Sequence, residues 1–218
     1  MTNEFVTIAT GAQGNFEVEI KRSRFIGTAV RVEDEAGARA AIDAERKLYP
    51  DARHHCSAYS YLPVGWENGV QPVTHSSDDG EPSGTAGRPM LDVLVGSGLQ
   101  NVCVVVTRYF GGVKLGTGGL VRAYSEATRG AIESAPQVRV QTLPVVSFQV
   151  MPDRAAGLEA WLRGRGWVPV DTAWANRVTF SLALDGFNRP ELEAALSAQL
   201  GAPVAVENAG SQVVETKL

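Results

Sequence analysis

Glycine is distributed unevenly along this chain: ten of its 23 glycines fall between Gly80 and Gly119. A backbone that dense in glycine must turn sharply or approach something closely. Around these turns the chain reads as mixed helix and strand. At 218 residues, 44% hydrophobic and 20% charged, it can bury a core as one large domain or two small ones. Two cysteines, Cys56 and Cys103, are too few for a disulfide scaffold. Collagen-like repeats and low-complexity tracts are absent.

The N-terminal part reads as α/β. Asn15 to Ile20 and Phe25 to Val32 alternate like strands, with Lys21-Arg22-Ser23 as a tight connection. Asp34 is an N-cap for a helix from Glu35 to Leu48, which Tyr49-Pro50-Asp51 ends. His54 to Leu62 is a strand, Pro63 to Asn68 a loop, and Gly69 to Ser76 a short strand. A helix follows from about Ala86 to Ser97, with Met90, Leu91, Leu94 and Val95 at helical spacing. Asn101 to Arg108 is a continuous apolar run suited to a sheet centre. The last helix of this part runs from about Gly118 to Ala135.

The character changes near Pro144. Strands at Val145–Met151, Trp167–Thr172, Arg177–Leu184 and Val204–Glu207 surround helices at Arg154–Arg165 and Pro190–Leu200. Asp153 and Asn188 read as N-caps, Gly166 and Gly201 as helix stops. That βαββαβ order is the ferredoxin-like pattern. The expected fold class is therefore α+β, with domains at residues 1–140 and 144–218.

Two segments carry the chemistry. In Asp78-Asp79-Gly80-Glu81-Pro82-Ser83-Gly84-Thr85, three carboxylates lie within four residues. Such a group can hold a hard cation through oxygen ligands. It can equally be a helix-capping turn, with Ser83 and Thr85 also placed to cap. The second segment runs from Arg108 and Tyr109 through Gly111, Gly112, Lys114, Gly116, Thr117, Gly118 and Gly119 to Arg122. It joins a buried-looking strand to a helix start. Backbone N–H groups there favour an anion, and Arg108, Lys114 and Arg122 add positive charge. A phosphate, on RNA or on a small molecule, is the natural ligand. The segment is neither a Walker A loop, lacking Lys before Thr117, nor a dinucleotide fingerprint. The alternative is close helix–strand packing that requires glycine.

Other features are weaker. His54 and His55 are adjacent, so a strand sends them to opposite faces. No zinc-ligand spacing is present, and neither a metal nor a cofactor is expected. Both cysteines sit in apolar runs and read as core thiols. Trp161, Trp167 and Trp174 read as packing residues, with base stacking as the alternative. Of the 20 basic residues 16 are Arg, yet the net charge is −4, so no broad polybasic surface is expected. The start, MTNEFVTIAT, has no basic segment followed by an apolar run, so no secretory leader is expected. Apolar stretches such as Val102 to Thr107 are too short to span a bilayer, so no membrane partner is expected.

Several segments together resemble the YigZ/IMPACT family. They are His55-Cys56-Ser57-Ala58-Tyr59, the run Ser77 to Pro89, and the run Val106 to Tyr124. Lys21-Arg22-Ser23-Arg24-Phe25-Ile26 is similar to the family's N-terminal pattern. The resemblance covers roughly residues 16–135 and is weaker beyond them. It implies a first domain similar to the second domain of ribosomal protein S5, a fold shared with GHMP kinases. It implies a second, ferredoxin-like domain resembling domain V of elongation factor G. Eukaryotic IMPACT is a translation regulator, so the resemblance implies a cytoplasmic, non-enzymatic protein associated with RNA or the ribosome. A protein of the translation machinery is the further partner it implies. The alternative is an enzyme or binding protein for a phosphorylated small molecule, with Asp78, Asp79 and Glu81 as metal ligands or acid–base groups.

Overall fold

The computed structural model describes residues 4–63, 65 and 69–218. Most of the loop expected at Pro63 to Asn68 lies outside these residues, as do the first three residues of the chain. The elements in order are β1 (Glu4–Ile8), β2 (Gln13–Ile20), β3 (Ser23–Arg31), α1 (Glu35–Leu48), β4 (His54–Tyr61) and β5 (Val73–Ser77). There follow α2 (Gly87–Gly96), β6 (Val102–Tyr109), α3 (Thr117–Ser134), β7 (Gln137–Val150) and α4 (Pro152–Gly164). The chain ends with β8 (Pro169–Trp174), β9 (Val178–Ala183), α5 (Arg189–Leu200) and β10 (Glu207–Lys217). The fold is α+β. Two compact units form, residues 4–140 with 215–218, and residues 141–214.

The first unit is built on an antiparallel sheet of order β2-β3-β6-β4-β5. The β2–β3 connection has two residues, Lys21 and Arg22, at φ 48° and 66°. Both are left-handed, as the type I′ hairpin turn requires. Asp34 caps α1, its carboxylate accepting from the Gly37 N–H at 2.7 Å. The sheet is covered on both faces. Phe25, Ala29, Cys56, Ala58, Val104 and Val106 pack with residues of α2 and α3 in one core. Val105, Cys103 and Tyr59 pack with Ala38 of α1 in another. β6 is central and buried on both faces, hence its unbroken apolar sequence. Both cysteines are fully buried free thiols, and burial pushes each up to about 12.

In the second unit β10 pairs with β7, which continues the order β7-β9-β8. With α4 and α5 between strands, this is the ferredoxin-like arrangement. Three expectations need correction. β7 does not begin after Pro144 but runs through it: Pro144 is exposed and its carbonyl accepts from the Leu184 N–H at 2.9 Å. The last strand is Glu207–Lys217, not Val204–Glu207. Val206 is instead fully buried, with Val204 packed beside it in the core of this unit. Asp153 is not the cap of α4: Met151 is the N-cap residue, and Pro152 opens the first turn. Asn188 does cap α5, and Gly201 ends it at φ 68°. Trp167 stacks on Phe187 with centroids 4.7 Å apart and meets Trp161 edge-on, so both tryptophans pack the core of this unit.

Candidate functional site

The β3–β6–β4 register sets the floor of the site. Phe25 pairs with Arg108, and Arg108 with His54, so these three side chains share one sheet face. That is the face α3 covers. Arg108 is buried, 7% exposed at its side chain, and donates from Nη1 to Glu81 Oε1 at 2.6 Å. Tyr124 of α3 donates to the same oxygen at 2.8 Å. Its guanidinium carbon lies 5.3 Å from the Phe25 ring centre and 5.5 Å from that of Phe110. The two glycine-rich segments thus meet through one buried ion pair.

Within the acidic turn each carboxylate has its own partner. Asp78 accepts from the N–H groups of Gly84 (2.8 Å), Ala86 (3.0 Å) and Gly87 (2.8 Å). It therefore caps α2 from a distance, and neither Ser83 nor Thr85 does: no side chain of the N-cap residue bonds there, and Thr85 Oγ1 donates to Pro82 O. Burial pushes the Asp78 carboxyl up, but the three N–H donors outweigh it and hold the group below its ordinary value. Asp79, at φ 41°, accepts from the His55 N–H at 2.6 Å and from Arg46 at 2.9 Å. Glu81 holds Arg108 and Tyr124. Among the described residues no cluster of three or more His, Cys, Asp or Glu could hold a metal ion. Gly80 adopts φ 85° in the same turn.

The glycine turn is arranged differently. Gly111 is required by packing: a Cβ there would overlap the Arg22 carbonyl, and its N–H donates to Ser23 Oγ at 3.1 Å. Gly116, at φ 75°, is the N-cap of α3, and no side chain caps that end. The first turn of α3 carries no acidic residue either. Gly118 leaves open space where a side chain would stand. Among the described residues no side chain therefore covers the initial N–H groups of this 18-residue helix, and the positive end of the helix dipole lies behind them.

This helix end opens on a pocket of about 450 Å³. Arg53, His54, Glu81, Pro82, Arg108, Phe110, Lys114, Leu115, Gly116, Thr117 and Leu120 line it. Arg53 and Lys114 are exposed, and neither forms an ion pair among the described residues. His54 is fixed by Nδ1 against Asp79 O at 2.9 Å. Arg108 is held from below by Glu81 and Ser23. Its Nε–H is closed off from solvent and meets no acceptor among the described residues, a burial that costs about 1–3 kcal/mol.

Of the positions singled out from sequence, the pocket gathers Arg108, Lys114, Gly116, Thr117 and Glu81. Tyr109 is not a lining residue; its ring lies edge-on to Tyr49 and carries Arg24 on its face. Arg122 is exposed on α3 and does not line the pocket, nor do Gly112, Gly118 and Gly119. Sequence reasoning omitted Arg53, His54 and Phe110 from the site. Arg53 precedes β4 and reaches the pocket only because β4 lies beside β6, a pairing no local signal reports.

A family model described as the Impact N-terminal domain matches residues 21–132. The chain belongs to the IMPACT family. IMPACT family member YigZ of Escherichia coli (strain K12) is 41% identical over 147 residues, 66% of this chain and 69% of that protein. IMPACT family member YvyE of Bacillus subtilis (strain 168) is 48% identical over 114 residues, 52% of this chain and 50% of that protein. A Thermus thermophilus family member, named for the pol 5′ region, is 37% identical over 165 residues, 76% of this chain and 86% of that one. A solved structure titled as a hypothetical protein matches 94% of this chain and 97% of its own, at 33% identity and a TM-score of 0.58. In this IMPACT family member the matched family domain contains both glycine-rich segments and the whole lining of the pocket.

Proposed function

We propose that this IMPACT family member is a non-enzymatic cytoplasmic protein that binds RNA of the translation machinery through a phosphate group held in the α3 pocket. One observation carries the reading: the N-terminus of α3, without a side-chain cap, converges with Arg53 and Lys114, which form no ion pair among the described residues, on a pocket floored by buried Arg108. An anion there gains backbone donors, the helix dipole and two cations together. The translation setting comes from the family resemblance, and no helix among the described residues is long and apolar enough to cross a membrane. The non-catalytic part rests on the carboxylates, all three of which are bonded within the protein.

A second reading, binding of a free phosphorylated metabolite, is favoured by the pocket's size, which falls in the small-ligand range. Sedimentation of the tagged protein through a sucrose gradient, at low and high salt and with or without ribonuclease, tests the first. Co-migration with ribosomal particles that salt or ribonuclease abolishes is expected, and Lys114→Ala should weaken it. A protein that stays at the top of the gradient in every condition overturns it.

A further inference from the structure

A phosphate at the start of α3 leaves one wall of the pocket without a contact. Phe110 lines the pocket yet is 55% exposed. Its ring is approached by Arg108 at 5.5 Å, which fixes the aromatic beside the cationic floor. Pro82, Leu115 and Leu120 extend the apolar surface. Isolated exposed aromatics are ordinary. This one differs because it shares a small concavity with a bare helix N-terminus and two unpaired cations. The lining is therefore divided, apolar and aromatic on one part and anion-seeking on the other.

We infer, resting on the phosphate-binding reading above, that the pocket takes a nucleoside 5′-monophosphate group, its phosphate at the start of α3 and its base against Phe110. The charge balance selects a terminal phosphate. Arg53 and Lys114 contribute two positive charges with no ion pair among the described residues, whereas the charge of Arg108 is matched by Glu81. The helix end adds about half a charge. A phosphomonoester carries about −1.5 to −2 at neutral pH and three free oxygens. An internal diester carries one charge and two free oxygens, and leaves that set of donors partly unanswered. Stacking suits Phe110 because every base offers a flat π-face and no base-specific donor is needed.

Such a group occurs at the 5′ end of a processed RNA and as a free nucleotide. Fluorescence anisotropy with a short single-stranded RNA, 5′-phosphorylated or 5′-hydroxyl, separates the cases, with adenosine monophosphate as competitor. The 5′-phosphorylated RNA should bind at least about ten-fold tighter. Phe110→Ala should lose about ten-fold of that affinity while leaving the thermal midpoint unchanged. Equal affinity for the two RNA ends overturns the terminal-phosphate inference and leaves RNA binding standing. A 5′-phosphate preference that survives Phe110→Ala overturns base recognition. Adenosine monophosphate binding as tightly as the oligonucleotide upholds the nucleotide site and overturns the RNA reading. Absence of binding by both overturns the inference together with the reading it rests on.

Discussion

The turn from Asp78 to Gly87 and the turn from Gly111 to Gly119 border the same pocket and hold their polar groups in opposite ways. In the first, every carboxylate is bonded inside the protein: Asp78 to three N–H groups, Asp79 to His55 and Arg46, Glu81 to Arg108 and Tyr124. In the second, the donors at the start of α3, Lys114 and the neighbouring Arg53 have no counterpart among the described residues. The acidic turn is a clamp that fixes α2 and the pocket floor. The glycine turn leaves its donors open among the described residues, as the proposed anion site requires. Charge density in a sequence does not distinguish them; the partners of each group do.

The comparison breaks first at Glu81. Glu81→Ala leaves Arg108 buried without its carboxylate, and should cost about 3–5 kcal/mol. The midpoint of urea denaturation measures it, and a loss under about 1 kcal/mol would show that Glu81 does not clamp the pocket floor. The next effect is at Asp78. Asp78→Asn should cost about 1–2 kcal/mol, the scale of a lost helix cap. Its sign with pH follows from the depressed carboxyl of the folded state. Stability from this group is complete above the unfolded carboxylate value of about 4 and falls away as pH drops through the lower folded value. The wild type should therefore lose its advantage over Asp78→Asn below about pH 4, by thermal melts across that range.

The smallest effects on stability sharpen the other side. Lys114→Ala and Arg53→Ala should each change stability by less than about 0.5 kcal/mol. Each should nevertheless lower the slope of log affinity for RNA against log salt by about one. Arg122→Ala, a charge on α3 away from the lining, should leave both stability and that slope unchanged. An equal response to all three variants would mean general charge attraction rather than a pocket.

Local signals explain why much of the first unit is legible. The span of α1 follows from Asp34 and the apolar spacing behind it. The β2–β3 turn follows from three polar residues between two alternating runs. Signals fail where burial is one-sided or shallow. β10 is exposed along nearly its whole length, so it lacks the alternation that marks a strand. Pro144 reads as a boundary because proline lacks an N–H, yet its exposed position in β7 tolerates it. Asp78 reads as solvated or metal-binding, because its three N–H partners are six to nine residues further along.

By itself the sequence determined the family, the α+β character, the ferredoxin-like order after Pro144 and the two turns that matter. These are written in short-range spacing and in motifs that survive without knowledge of contacts. The tertiary structure decided which charges are structural and which are open. Sequence alone gives Arg108 and Lys114 equal standing as cations of one segment. The pairing of β6 with β3 and β4 buries Arg108 against Glu81 and Phe25, whereas Lys114 stands exposed at the mouth of the pocket. The reason is physical: a charge acquires its role from the groups that desolvate and answer it, and the carboxylate that answers Arg108 lies 27 residues away in the chain.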